Sequence, residues 1–242
     1  MLKKIERFVN LFTSLKVQKV KTVRGIPDAQ FYKPYFSPWL GYGEFKPFVE
    51  AAEKYTLVTA DRCYVLYCLG KQALQLGGEF WECGVYKGGT AILLAKVIAE
   101  YGKQTGTKLH LFDTFEGMPD VNAQKDWHKS GDFKDTSEEA VGARVGHPEH
   151  VVTHKGFIPD TFKGLENSKI SFAHIDVDIY QSILDSLNFI YPRLVAGGFI
   201  VFDDYGFPTC PGARQAVDEF FAGKPEQVLA MPSGQAVVFK SR

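Results

Sequence analysis

The stretch that most constrains this chain is FWECGVYKGGT at residues 80–90, which the apolar run AILLAKVIAEY follows. It predicts a short buried strand, a glycine-rich turn and a helix. Gly84, Gly88 and Gly89 allow backbone to approach a ligand where a Cβ would obstruct it. The start of the helix should point free N–H groups and a positive dipole at the same place. We therefore expect an α/β nucleotide-binding domain with its ligand at the carboxyl end of this strand.

The spacing of the glycines separates this turn from two common nucleotide sites. The dinucleotide fingerprint is Gly-x-Gly-x-x-Gly, whereas this chain has Gly-x-x-x-Gly-Gly preceded by Glu82. No Gly-Lys-Ser/Thr of a P-loop is present. The pattern Glu-x-Gly-x-x-x-Gly-Gly-Thr resembles the first motif of class I S-adenosylmethionine (SAM) methyltransferases. A generic strand–helix turn is the alternative at this point.

Charge and composition exclude several classes of protein. Lys plus Arg and Asp plus Glu each number 28, so no global field attracts nucleic acid or an anionic membrane. No run of about 18 apolar residues predicts a membrane span, and the first twenty residues lack the apolar core of a signal peptide. The four cysteines form no C-x-x-C pair, which favours free thiols in a reducing, cytoplasmic setting.

The chain divides into an N-terminal extension and one domain. Residues 1–24 read as a basic amphipathic helix and a tail, and residues 25–48 are rich in aromatic residues and prolines, which exclude a long helix. We expect residues 1–54 to cap the domain or contact another subunit, so that the protein is a homo-oligomer. Residues 55–242 should form the ligand-binding domain.

From residue 80 onward, apolar runs alternate with helical patterns, as in a parallel sheet covered on both faces. We expect a Rossmann-like sheet of seven strands, mostly parallel with an antiparallel last strand. The expected strands are 80–85, 109–113, 151–154, 170–176, 198–202, 227–231 and 236–240. The expected helices are 59–75, 89–101, one beginning at 136–139, 182–194 and 213–221. The polar stretch 120–136 between them is typical of a lid or binding loop.

Carboxylates follow four of these strands, at the edge where parallel sheets bind ligands. They are Glu82, Asp113, Asp176 with Asp178, and Asp203 with Asp204. Converging acids repel one another and lose hydration, so such a set indicates a function or a counter-charge. The alternative, that Asp only caps the strand ends, would explain one or two of these acids but explains all four poorly.

Their positions suggest different roles. Asp113, after the second strand, can accept hydrogen bonds from two ribose hydroxyls. Asp176, Asp203 and Asp204 suit Mg²⁺, which prefers oxygen ligands. Asp178, just beyond its strand, could deprotonate a hydroxyl bound to that ion, because the ion lowers the hydroxyl pKa.

Two histidines lie near these acids in the sequence. His174 is inside the fourth strand, and we interpret it as a core or supporting residue rather than a base. His128 lies in the polar stretch 120–136. It is a second-choice base and otherwise a solvated loop residue.

Five stretches together resemble the macrocin O-methyltransferase (TylF/MycF-like) family over about residues 55–240. They are ECGVYKGGT, LFDTFEGMP, HIDVDIYQS, GGFIVFDDYG and SGQAVVFK. Members of this family are Mg²⁺- and SAM-dependent enzymes that methylate sugar hydroxyls of natural products. The resemblance implies a class I methyltransferase fold, metal at Asp176, Asp203 and Asp204, and a base at Asp178.

The resemblance also implies a SAM site. The residues that it assigns to the cofactor are Thr59, Glu82, Gly84, Tyr86, Gly88, Gly89, Thr90, Asp113, Thr114 and Asp176. Thr59 and Arg62 match a Thr-x-x-Arg pattern before the first motif and are expected to border the cofactor pocket. The segments 25–48, 117–136 and 204–214 depart from the family pattern, so a macrolide sugar is not assigned.

The expected partner is a small-molecule hydroxyl acceptor, a sugar or a glycosylated natural product. A catechol-like or other vicinal-diol acceptor on the same fold is the first alternative, and a non-catalytic SAM-binding module is the second. The glycine spacing disfavours an NAD-dependent oxidoreductase. The balanced charge, and the lack of an Asn/Asp-Pro-Pro-Tyr motif after the fourth strand, disfavour a nucleic-acid methyltransferase.

Overall fold

The computed structural model describes residues 37–40 and 43–241. The basic helix predicted at 1–24 and most of the aromatic segment 25–48 lie outside these residues. The described chain from Pro38 onward forms one compact unit.

A single sheet organises this unit. Its strands are β1 (Glu79–Cys83), β2 (Leu109–Asp113), β3 (Val151–Lys155), β4 (Ile170–Ile175), β5 (Leu194–Phe202), β6 (Leu229–Ala230) and β7 (Ala236–Phe239). Their order is β3-β2-β1-β4-β5-β7-β6. The first five strands are parallel, whereas β7 runs antiparallel to both β5 and β6. This confirms the predicted Rossmann-like sheet and its antiparallel last strand.

Helices cover the sheet and connect its strands. They are α1 (Lys46–Ala52), α2 (Ala60–Ala73), α3 (Gly89–Tyr101), α4 (Glu138–Val145), α5 (Tyr180–Ile190) and α6 (Pro211–Phe221). The start predicted near 136–139 is confirmed, because the Ser137 hydroxyl accepts a hydrogen bond from the Ala140 N–H as an N-cap. Within the described part of the chain, none of the helices has the length and hydropathy that a bilayer crossing requires.

The helix predicted at 182–194 is placed differently. It begins at Tyr180 and ends at Ile190, and a 3₁₀ turn spans Tyr191–Arg193 before β5 starts at Leu194. Pro192 lies in that turn, and a proline in a helix interior removes one backbone hydrogen bond and clashes with the preceding turn. The fifth strand is correspondingly longer than the predicted 198–202.

Alternate side chains of the buried strands enter two cores, one on each face of the sheet. In β1, Phe80 packs with the first three helices, whereas Trp81 packs with α5 and α6. Phe45 and Phe48, at the end of the predicted aromatic segment, are buried in the first of these cores. The domain boundary at 54/55 stays a prediction.

Candidate active site

A cavity of about 440 Å³ lies where β1, β2, β4 and β5 end. Six of the predicted cofactor residues line it: Gly84, Tyr86, Thr90, Asp113, Thr114 and Asp176. Thr59, Glu82, Gly88 and Gly89 are not among the lining residues. The volume lies in the range of small-molecule and cofactor sites. The cofactor role of these ten residues stays a prediction.

The glycines of the first turn are needed by the chain's own packing. Gly84 has φ +85°, and a Cβ there would lie 1.8 Å from the carbonyl oxygen of Asp176. A Cβ on Gly89 would lie 2.5 Å from Cβ of Thr56. The Gly89 N–H donates to the Tyr55 carbonyl at 3.1 Å, so this N–H at the start of α3 is used within the chain.

Asp113 holds the glycine-rich turn in place. Its Oδ2 accepts hydrogen bonds from the N–H groups of Val85 (2.7 Å) and Tyr86 (3.0 Å), and its Oδ1 accepts one from Phe115 (2.7 Å). The carboxylate is therefore fixed by the backbone at the wall of the cavity. Oδ1, which accepts one bond, has a second lone pair available for a further donor.

The three aspartates predicted to bind metal come together. Carboxylate oxygens of Asp176, Asp203 and Asp204 lie within 4.8 Å of one another. Burial, and then the neighbouring carboxylates, raise the pKa of Asp176 and of Asp204 well above the ordinary value. A divalent cation would relieve this repulsion, and oxygen ligands from protein suit Mg²⁺.

Asp203 is held by side chains that donate to its carboxylate. Its carboxylate accepts from the Arg62 guanidinium and, at 2.8 Å, from Nε2 of Gln235. Nε2 of His174 lies 3.6 Å from Asp203 Oδ1. Burial disfavours the charged form, but His174, Arg62 and Gln235 outweigh it and lower the pKa of Asp203. Gln235 was not predicted, although it lies in the SGQAVVFK stretch that carries the family resemblance.

His174 bridges two buried carboxylates beneath the site. Its Nδ1 lies 3.0 Å from Glu82 Oε1, and both side chains are fully buried. Burial alone would lower the pKa of His174, but the neighbouring carboxylates of Asp203 and Glu82 raise it to about 10. This agrees with the interpretation of His174 as a core or supporting residue.

Asp178 stands in the left-handed region at φ +59°, which non-glycine residues seldom adopt. Its N–H donates to Asp204 Oδ2 at 2.8 Å. Its Oδ1 lies 3.4 Å from His128 Nε2 and 3.3 Å from Cys210 Sγ. Burial raises the pKa of Asp178, and His128 opposes that effect.

His128 is thus not a solvated loop residue, and that expectation is wrong. The segment 117–136 is held against the domain, because Asp126 is buried and its Oδ1 accepts from the Tyr180 N–H at 2.9 Å. Thr136 Oγ1 also donates to the Tyr86 carbonyl at 2.6 Å. Movement of this segment as a lid stays a prediction.

Comparison with known proteins identifies the family. The model of the macrocin-O-methyltransferase (TylF) family matches residues 53–232. A relative from Streptomyces olivaceus, the 8-demethyl-8-(2,3-dimethoxy-alpha-L-rhamnosyl)-tetracenomycin-C 4'-O-methyltransferase, is 31% identical over 154 residues, with 59% of this chain and 58% of that enzyme covered. The mycinamicin III 3''-O-methyltransferase of Micromonospora griseorubida is 29% identical over 181 residues, with 69% and 70% covered.

A solved structure supports the fold. The O-methyltransferase NovP superimposes with a TM-score of 0.71 at 23% identity, covering 78% of this chain and 83% of that one. The two chains therefore share their fold. The family model covers well over half of the sequence, and the chain belongs to the macrocin-O-methyltransferase (TylF) family.

Proposed function

We propose that this protein is a SAM-dependent O-methyltransferase that acts on a sugar hydroxyl of a glycosylated natural product. One observation carries the proposal: the glycine-rich turn after β1, Asp113 and the acids after β4 and β5 all line the same cavity. That arrangement places a cofactor pocket next to a cluster of carboxylates. The two enzyme relatives, one of them a rhamnosyl-tetracenomycin methyltransferase, support a glycosylated acceptor.

We further propose Mg²⁺ at Asp176, Asp203 and Asp204. The fit rests on three carboxylates, two buried and one half-buried, that crowd one another and offer only hard oxygen donors. When bound, Mg²⁺ would supply Lewis acidity at the acceptor hydroxyl. Arg62 offsets part of the negative charge through Asp203.

The remaining chemistry falls to the chain itself. Asp178 would take the proton of the acceptor hydroxyl, and SAM, when bound, would supply the methyl group to that oxygen and leave as neutral S-adenosylhomocysteine. The Asp178 proton then passes to solvent. The N–H of Asp178 donates to Asp204, which holds the base in one orientation. Such alignment of reacting groups lowers the activation barrier substantially, because the entropy of bringing them together has already been lost.

The cavity mouth favours an acceptor with an apolar part. Leu57 and Phe157 line the cavity although 68% and 53% of their surface is exposed. Exposed apolar side chains at a cavity mark binding surfaces. An aglycone attached to the sugar would cover them, whereas a free sugar would leave them in water.

Two measurements test the proposal. Calorimetric titration with S-adenosylhomocysteine in Mg²⁺ should show binding, and its absence from folded protein would remove the methyltransferase proposal. Methyl transfer from labelled SAM is then compared among mycinamicin III, demethyl rhamnosyl-tetracenomycin, a free 6-deoxyhexose and a catechol. Transfer to the catechol alone would select the vicinal-diol alternative, and binding without any transfer would favour the non-catalytic module.

Asp178→Asn separates the base from the cofactor site. We expect it to bind S-adenosylhomocysteine as the wild type does and to lose about 10²- to 10⁴-fold in turnover, the usual contribution of a general base. The exposed Asp160, paired with Lys163, gives the control variant Asp160→Asn. An unchanged rate in Asp178→Asn would exclude Asp178 as the base.

A further inference from the structure

A second group of metal-binding side chains lies beside the three-aspartate cluster. Among the described residues, His128, Asp178 and Cys210 form the other group whose ligand atoms lie within 4.8 Å of one another. All three line the cavity. They come from three separate segments, before α4, after β4 and at the start of α6, so the fold rather than local sequence brings them together.

The triangle of ligand atoms has the size of a zinc coordination sphere. His128 Nε2 and Cys210 Sγ are 3.6 Å apart, Cys210 Sγ and Asp178 Oδ1 are 3.3 Å apart, and His128 Nε2 and Asp178 Oδ1 are 3.4 Å apart. Tetrahedral zinc with ordinary bond lengths separates sulfur from nitrogen or oxygen by about 3.5 Å, and nitrogen from oxygen by about 3.3 Å. The three observed separations each agree to within about 0.2 Å.

A carboxylate also stands behind the histidine. His128 Nδ1 lies 3.3 Å from Asp132 Oδ2, and the Lys129 N–H donates to the same oxygen at 2.9 Å. An Nδ1–H bonded to Asp132 leaves the Nε2 lone pair directed at Cys210 and Asp178. A carboxylate bonded to the far nitrogen of a histidine ligand is the usual support in metal sites.

We propose that His128, Asp178 and Cys210 bind Zn²⁺ or a similar borderline cation, with the fourth coordination position open to the cavity. The set is chemically distinct from the three aspartates. Thiolate and imidazole select zinc-like ions, whereas Mg²⁺ takes oxygen ligands. Binding converts the Cys210 thiol to a thiolate and releases its proton to solvent.

The consequence for catalysis rests on the proposed function. A zinc ion on Asp178 occupies the carboxylate that takes the acceptor proton, so zinc inhibits methyl transfer while S-adenosylhomocysteine still binds. Zinc binding itself does not depend on the methyltransferase proposal. A binding measurement therefore tests the site even if no acceptor is methylated.

The experiment uses Co²⁺ as a spectroscopic substitute for zinc, with the full chain in excess Mg²⁺ so that the three-aspartate cluster is saturated. Co²⁺ bound at this site gives a thiolate-to-metal absorption band that Zn²⁺ then abolishes by displacement. We expect Cys210→Ser to remove the band and to weaken zinc binding at least about 100-fold, because a soft ligand is replaced by a hydroxyl. Asp132→Asn should weaken zinc binding about 10- to 100-fold.

The chain offers a matched control. Cys68 is an exposed free cysteine on α2, so Cys68→Ser should leave the band and the zinc affinity unchanged. His128→Gln provides a second ligand variant on a segment outside the core, should Cys210→Ser disturb folding. Circular dichroism of each variant checks that it is folded.

Three results would overturn the proposal. One is a wild-type protein with Co²⁺ that shows no thiolate band. Another is a band that persists in both Cys210→Ser and His128→Gln. The third is zinc binding that excess Mg²⁺ abolishes and that Cys210→Ser does not change, since zinc would then occupy the three aspartates. A protein that fails to bind S-adenosylhomocysteine would contradict the proposed function, but it would not affect the test of the zinc site.

Discussion

The guanidinium of Arg62 in α2 donates to the carboxylate of Asp203 at the end of β5, 141 residues further along the chain. Arg62 is 8% exposed and Asp203 is 1% exposed. Arg62 also donates to Thr59 Oγ1 at 3.1 Å and to the Leu57 carbonyl at 3.0 Å. The Thr-x-x-Arg pattern thus places a cation beside the acid cluster, with one hydrogen bond from each guanidinium nitrogen, and Arg62 itself lines the cavity.

We expect Arg62→Met to lower the free energy of unfolding by about 3 kcal/mol, because it leaves Asp203 charged, buried and without its cation. Urea unfolding in the absence of divalent ions measures this. The control is Arg214→Met, since Arg214 forms an exposed pair with Asp218, and its loss should cost less than about 0.5 kcal/mol. Equal stabilities for the two variants would show that Arg62 does not compensate the acids.

The second prediction concerns Gly84, whose position leaves no room for a side chain. We expect Gly84→Ala to destabilise the fold by at least about 3 kcal/mol, since a left-handed φ costs an alanine about 1 kcal/mol and overpacking adds about 2. Gly77→Ala is the control, because Gly77 also has a positive φ but nothing within 4 Å of its added Cβ. Urea midpoints that fall equally in both variants would mean that the contact with Asp176 is harmless.

The strand-end acids show what the sequence could predict. Alternating strands and helices require a parallel sheet, and the carboxyl ends of parallel strands share one edge. The proximity of Asp176, Asp203 and Asp204 follows from that rule without knowledge of any loop. The same rule correctly placed Asp113 beside the turn after β1.

The neighbours of Asp178 could not be predicted in this way. The segment that carries His128 is anchored where the buried Asp126 accepts a hydrogen bond at the start of α5, and a single loop aspartate gives no periodic signal. Cys210 comes from yet another loop, and Gln235 reaches Asp203 from the turn before β7. Such contacts depend on how loops pack over the sheet edge, which local sequence patterns do not encode.

Metal removal gives the third prediction. A chelator should abolish methyl transfer and Mg²⁺ should restore it. Saturating Mg²⁺ should also stabilise the wild type, by about 2.7 kcal/mol at one hundred times its dissociation constant. Asp204→Asn removes one negative charge and one carboxylate oxygen from the cluster. In urea unfolding this variant should therefore lose most of the stabilisation by Mg²⁺, whereas Asp160→Asn should keep it. Full activity in the presence of chelator would show that methyl transfer needs no metal and that the three aspartates have a structural role.

The last prediction concerns pH and lies away from the active site. The buried Glu226 accepts hydrogen bonds from the Tyr191 hydroxyl (2.7 Å) and from the N–H (3.0 Å) and hydroxyl (2.6 Å) of Ser241. Burial alone would raise the pKa of Glu226, but the bonds from Ser241 and Tyr191 lower it from 4.5 to about 2. Because the folded pKa lies below the unfolded one, this stabilisation is present above pH 4.5 and is lost as the pH falls toward 2.

Glu226→Gln should therefore lower the free energy of unfolding by about 2 kcal/mol at pH 7, somewhat less than the full linkage value of about 3 kcal/mol, since an amide oxygen still accepts hydrogen bonds. The difference between wild type and variant should shrink as the pH falls from 5 to 3, as urea unfolding at each pH would measure. Glu50→Gln, at an exposed pair with Lys46, should change stability by less than about 0.5 kcal/mol throughout. A difference that is as large at pH 3 as at pH 7 would place the effect of Glu226 in its packing and not in its charge.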